Sequence, residues 1–244
     1  MSDSEISQNK VSLSLKGQEE ELFSKWKKLR PDEPFIKDGV MDENCYLAQK
    51  RKIVFVLKDA YDNKGSSKDW DLCENVLKEA FVNWKRDQTW PQIARWAYGL
   101  LQLHEKPDIS QDELDTKISD KLACKEILRS IAVMNVKKVL SRTSITDRKA
   151  LKEHREDREN LSFLCEQWKL YQPDITVCGG WEAFYAMRNA LQVYDQDVQR
   201  TRRGTYYWKI PSGQLFIQAV HPAARCPDEL KCFMVLDAVQ DAKT

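Results

Sequence analysis

Hydrophobic positions along this chain fall into short unbroken runs separated by helical stripes. Ile53–Leu57 is a continuous apolar run between Lys52 and Lys58. Five residues are too few for a helix and suit a strand covered on both faces. Ile131–Met134 repeats the pattern, Asp174–Cys178 gives a third strand, and Tyr206–Ile210 with Gln214–Val220, joined by Pro211-Ser212-Gly213, reads as a hairpin. Between the runs the period changes. Leu22, Trp26 and Leu29 recur at i, i+4 and i+7, a helix that stops before Pro31, and a short helical stretch covers Glu43–Gln49. Cys73, Val76, Leu77, Ala80, Phe81 and Trp84 mark another helix, with Asp69 as its N-cap. The next begins at Thr89-Trp90-Pro91 and carries Ile93, Trp96, Ala97, Leu100 and Leu101 on one face. Single helices are predicted over Asp112–Arg129, Asp147–Leu170, Trp181–Leu191 and Pro227–Ala242, the third entered through Gly179-Gly180.

Strands alternating with helices predict a three-layer α/β/α sandwich around a central, mainly parallel four-stranded sheet. Residues 1–17 hold five serines and no apolar periodicity, so they read as a flexible tail before a single domain over 18–244. No run approaches the ~18 apolar residues of a membrane span, and no secretory signal opens the chain, so a cytoplasmic monomer is expected. Seven cysteines without a C-x-x-C pair favour reduced thiols over a metal cluster. His221 with Cys226 and Cys232 fits no standard zinc spacing, and no metal or cofactor is expected.

In a parallel α/β sheet, ligands bind beyond the carboxyl ends of the strands. The first exit reads Leu57-Lys58-Asp59-Ala60-Tyr61. An acid there can orient a water or steady a cation, although a helix cap or a solvated loop has the same spacing. The second exit ends in Asn135, whose amide offers the donor and acceptor needed to read a base edge; Asn is also a common turn residue. The last reads Val220-His221-Pro222-Ala223-Ala224-Arg225, where a histidine can donate to a developing oxyanion or simply be a satisfied structural residue.

Taken together, these exits resemble the uracil-DNA glycosylase superfamily over roughly Ile53 to Arg225. Asp59-Ala60-Tyr61 is similar to the Asp-Pro-Tyr of its best-known branch, and His221-Pro222-Ala223 to its His-Pro-Ser loop. The resemblance implies that Asp59 orients the attacking water and stabilises the sugar cation. It further implies that Asn135 reads the base, His221 donates to the pyrimidine O2, and Tyr61 excludes substituents on carbon 5. Trp70 is the nearest match to the aromatic that stacks on the base, and Arg225 to the residue that enters the duplex. Lys58 in place of a glycine, Ala60, Ala223 and the missing iron–sulfur cysteine pattern indicate a divergent branch.

The expected function is therefore a monofunctional DNA glycosylase releasing uracil or another altered pyrimidine. Modified cytosine in phage DNA is the second candidate substrate, and a non-catalytic DNA-binding module is a competing class. A nucleotide-binding enzyme is disfavoured, because no phosphate-binding glycine motif follows a strand. The balance of 39 Lys+Arg against 38 Asp+Glu excludes a general polyanion coat. Positive charge is local, around Lys137, Lys138 and Arg142 and again at Arg200, Arg202 and Arg203, where a phosphate-tracking rim is expected. Trp84, Trp96 and Trp168 sit at helical core spacing and read as packing.

Overall fold

A computed structural model describes residues 13–60, 68–79, 88–103, 109–141 and 147–243. The first part comprises α1 (Leu15–Trp26), β1 (Ile36–Lys37), β2 (Gly39–Val40), α2 (Glu43–Leu47), β3 (Ile53–Leu57), β4 (Trp70–Asp71) and α3 (Leu72–Glu79). Then come α4 (Thr89–Gln102), α5 (Gln111–Ser119), α6 (Lys121–Arg129), β5 (Ala132–Asn135), α7 (Arg148–Glu156), α8 (Arg158–Tyr171) and β6 (Ile175–Gly179). The last part holds α9 (Trp181–Leu191), β7 (Gln199–Arg200), β8 (Tyr206–Lys209), β9 (Leu215–Ala219) and α10 (Asp228–Asp241).

The main sheet has seven strands in the order β2-β5-β3-β6-β9-β8-β7, not the four expected. Its middle, β5-β3-β6-β9, is parallel throughout. The surplus is antiparallel pairing at the edges: β2 on β5, and β8 on β9 with β7 outside it. β8 was legible as half of a hairpin, whereas two-residue edge strands are too short for any periodicity to register. A separate parallel pair joins β1 to β4.

Alternation along the buried strands divides the core in two. Ile53, Phe55 and Leu57 pack with residues of α3, α4, α5, α6 and α10. Val54 and Val56 pack on the opposite face with α1, α7, α8 and α9. This is the three-layer sandwich, and each fully covered aliphatic side chain contributes roughly 1.5–3 kcal/mol through the water it no longer orders.

Two expected helices are each broken once, by an aspartate. At Asp120 the backbone turns extended (φ −83°, ψ 110°) and the carboxylate accepts the N–H of Leu122. Asp157 does the same between α7 and α8, accepting from Glu159 and Asn160. A side chain that satisfies orphan N–H groups starts a new helix even where neither glycine nor proline stops the old one. Capping also corrects two boundaries. Ser14 caps α1, so Leu15, Lys16 and Gly17, assigned above to the tail, are helical. The cap of α3 is Asp71, whose carboxylate accepts the N–H of Glu74 at 2.7 Å, while Asp69 instead accepts from Phe35 N and Lys27 Nζ. Phe81 and Trp84 lie outside the described residues.

The chain visits its parallel strands in the order β3, β5, β6, β9, but they stand side by side as β5-β3-β6-β9. It therefore leaves β3 in one direction, returns past it, and continues in the other. The reversal falls between β3 and β6, and sheets of this kind bind ligands at the carboxyl ends beside such a switch point.

Candidate active site at the strand ends

The exits of β3 and β5 stay zipped beyond the sheet. Leu57 and Asn135 are register partners, and the backbone ladder continues from Val136 N to Leu57 O (2.9 Å), Lys137 N to Lys58 O (3.0 Å) and Ser141 N to Ala60 O (3.0 Å). That continuation carries Ser141 to Asp59. Lys137 Nζ lies 2.6 Å from Ser141 Oγ, which lies 3.3 Å from Asp59 Oδ2. An ammonium has no acceptor, so Ser141 Oγ must accept from Lys137 and give its one proton to Asp59. One carboxylate oxygen is thereby tied down, which fixes the direction in which the other can face. Ser141 escaped the sequence reading because nothing in its surroundings distinguishes it from a loop serine.

Lys137 and Lys138 do not form part of a phosphate-contacting rim, because they are only 5% and 2% exposed. Burial pulls both ammonium groups below the usual lysine range, against the opposing charge of Asp59 for Lys137 and of Asp38 for Lys138. Lys138 Nζ donates to Asp38 Oδ1 and to Gln167 Oε1 (2.8 Å), and lies 4.7 Å from the centre of the Trp26 ring.

Asp38, itself 1% exposed, organises Asn135. Its Oδ2 accepts the backbone N–H of Asn135 (2.7 Å) and the side-chain Nδ2 (3.1 Å), while its Oδ1 also accepts from Gln167 Nε2 (2.9 Å). A carboxylate can face only the amide's donor end, so the carboxamide orientation follows from charge. The other end, Asn135 Oδ1, is buried without a hydrogen-bond partner. An orphaned buried acceptor costs roughly 1–3 kcal/mol, a cost removed when a donor reaches it.

His221 stands two strands from Asp59, on the far side of β6, a separation of about 10 Å at sheet spacing. Its Nδ1 accepts the N–H of Ala223 at 3.2 Å, so the proton of the neutral ring is on Nε2. Burial, together with the positive charges of Lys58 and Lys231, lowers His221 to about 4. Lys231 is held close by by donation to Pro222 O at 3.0 Å. Between the two exits lies Gly179. A Cβ there would come within 2.8 Å of Leu57 Cδ2 and 3.1 Å of Pro222 Cδ. Gly180 follows at φ +112°, a left-handed conformation open to glycine, and turns the chain into α9.

His154 shares the lowered value of about 4, through burial and the charges of Arg30 and Lys137. Both imidazoles are neutral when folded and titrate near 6.5 when unfolded, so the unfolded chain binds more protons at mildly acid pH. Stability is therefore complete above pH 6.5 and falls as the pH drops toward 4, by up to about 3 kcal/mol for each histidine. Urea midpoints measured at pH 7.5 and pH 4.5 should differ accordingly, and His154→Gln should flatten the dependence.

The remaining expected residues scatter. Trp70 sits on β4 with its N–H on Phe35 O (2.9 Å) and packs against the α3–α6 side of the core. Arg225 is exposed at the end of the His221 loop and lines a cleft of about 720 Å³ with Gln92, Arg95 and Asp115. Because β8 runs antiparallel to β9, the turn holding Arg202 and Arg203 lies at the same end of the sheet as His221. Arg203 is drawn aside by Asp237 (2.7 Å) and Phe233, while Arg202 is exposed. Tyr61 and Arg142 lie outside the described residues.

Among the described residues no group of three or more His, Cys, Asp and Glu side chains could hold a metal ion, and no helix is long and apolar enough to cross a membrane. Neither a protein-family model nor a curated protein sequence matches the chain.

Proposed function

We propose that the protein is a DNA glycosylase that hydrolyses the N-glycosidic bond of uracil or another altered pyrimidine and leaves an abasic site. The observation that carries this reading is a tethered carboxylate, Asp59, and a neutral histidine whose proton is on Nε2, at strand ends on either side of the sheet's switch point. Breaking the bond from carbon 1 of the sugar to the base nitrogen leaves positive charge on the sugar and negative charge on the base. Asp59 stabilises the first and takes a proton from the attacking water, whose oxygen forms the new bond to carbon 1. His221 donates toward the base oxygen and stabilises the second. Atoms balance with water alone. The target base must leave the stack to reach groups held at strand ends.

Asn135 Oδ1 is suited to accept either the imide N–H of uracil or the exocyclic amine of a cytosine-type base. Both classes therefore belong in the test. Purified protein is incubated with oligonucleotides carrying uracil, mismatched or modified pyrimidines, and with natively modified phage DNA, and abasic sites are scored after alkali. Release from one of these classes supports the proposal. Salt-sensitive binding without release from any of them overturns it in favour of a binding module, the class suggested by Lys58 and Ala60 at the acid loop.

A further inference from the structure

The exposed aromatic side chains among the described residues are Trp181 (45% exposed), Tyr185 (42%), Tyr194 (66%) and Phe233 (37%). Trp181 and Tyr185 lie on α9 and Tyr194 just after it, in the layer over one face of the sheet, and Phe233 lies on α10, in the layer over the other. The turn between β7 and β8 runs between these two helices at the carboxyl end of the sheet, and it supplies the cations. Arg200 stacks over Tyr206 at 5.2 Å and Arg203 over Phe233 at 5.5 Å, while Arg188 stands 5.8 Å from the centre of Tyr185. Trp181 is the hub: its ring centre lies 5.2 Å from Tyr206 and 5.6 Å from Tyr185, the latter nearly parallel at 27°. It is also only two residues beyond Gly179, so this cluster begins at the carboxyl end of β6.

Alternating flat rings and guanidinium groups suit one kind of partner. An unpaired strand presents bases that stack on aromatic faces and phosphates that attract arginine, whereas a duplex hides its bases. Arg188 is paired with Asp195 and Arg203 with Asp237, so the charge left to meet phosphates is that of Arg200 and Arg202, for which no carboxylate partner is found among the described residues. We infer that the stripe from Trp181 across Arg200 and Arg202 to Phe233 binds unpaired nucleotides flanking the target, so the protein prefers single-stranded or locally opened DNA. This inference rests on the nucleic-acid reading above and adds strand state to it.

The test is binding, separate from base release. Fluorescence anisotropy is measured with a labelled oligothymidylate and with a fully paired hairpin of equal length, using the full chain. The expected result is tighter binding of the oligothymidylate, weakened about tenfold by Trp181→Ala, the order associated with loss of one stacking ring. Trp181→Phe should recover most of that loss, and Arg200→Ser with Arg202→Ser should lower the salt dependence. Equal affinity for the two probes, no binding of either, or unchanged affinity in Trp181→Ala and in the arginine pair overturns the inference. Thermal unfolding of each variant identifies any that fails to fold, in which case the arginine pair and Trp181→Phe decide. Trp181-dependent binding without base release from any substrate would refute the glycosylase and leave this surface standing.

Discussion

Asp59→Asn should slow single-turnover base release about 100- to 10,000-fold, the range associated with loss of a positioned general base. The substitution keeps the side chain's size and its place beside Ser141, so DNA affinity should change little. His221→Ala should cost about 100- to 1,000-fold, as expected for one donor to a developing anion. With His221 lowered to about 4, the histidine stays a neutral donor throughout pH 5–9, and no limb of the profile in that range should vanish in His221→Ala. Ser141→Ala should give a smaller loss, because it loosens the carboxylate and leaves Lys137 Nζ without this acceptor. Turnover that survives both Asp59→Asn and His221→Ala would remove these residues from the chemistry.

Asp38→Ala should be the most destabilising single change, about 3–5 kcal/mol, because it strands a buried lysine without its counter-charge. Its carboxylate holds four donor groups: the backbone N–H and Nδ2 of Asn135, the Nζ of Lys138 and the Nε2 of Gln167. A loss of that size lowers the melting temperature of a domain this large by roughly 10 °C. Asp38→Leu combined with Lys138→Met should recover only part of it, since the apolar pair escapes the desolvation cost of the charges but leaves the Asn135 and Gln167 donors without an acceptor. A melting temperature unchanged in Asp38→Ala would show that the pair is not buried as described. In the double variant, part of the stability returns while Asn135 has lost its orienting partner, so base release should remain impaired.

The strands of the sheet's centre were legible because each is apolar on both faces, and Ile53–Leu57 lies at the middle as its composition required. The candidate acid, amide and imidazole were legible because they leave those strands. The edges were not, because β2 and β7 are two residues long. The helix breaks at Asp120 and Asp157 left no glycine or proline to read, only an acid whose capping role depends on its backbone. Lys137 and Lys138 misled for a different reason. An adjacent lysine pair normally marks a wet surface, and what buries Lys138 is Asp38, 100 residues earlier in the chain. Trp181 was one of eight tryptophans, and spacing alone does not separate a core ring from an exposed one.

Gly179 fixes a spacing between two strand exits. The gap between carboxylate and imidazole is the width of one bare strand end, set by backbone and not by any side chain. Adding a single methyl there would press on Leu57 at one wall and on the ring of Pro222 at the other. Leu57 leads into the Asp59 exit and Pro222 follows His221, so a larger residue at 179 would push on both exits at once. The spacing of carboxylate and imidazole thus depends on the absence of a side chain at one position.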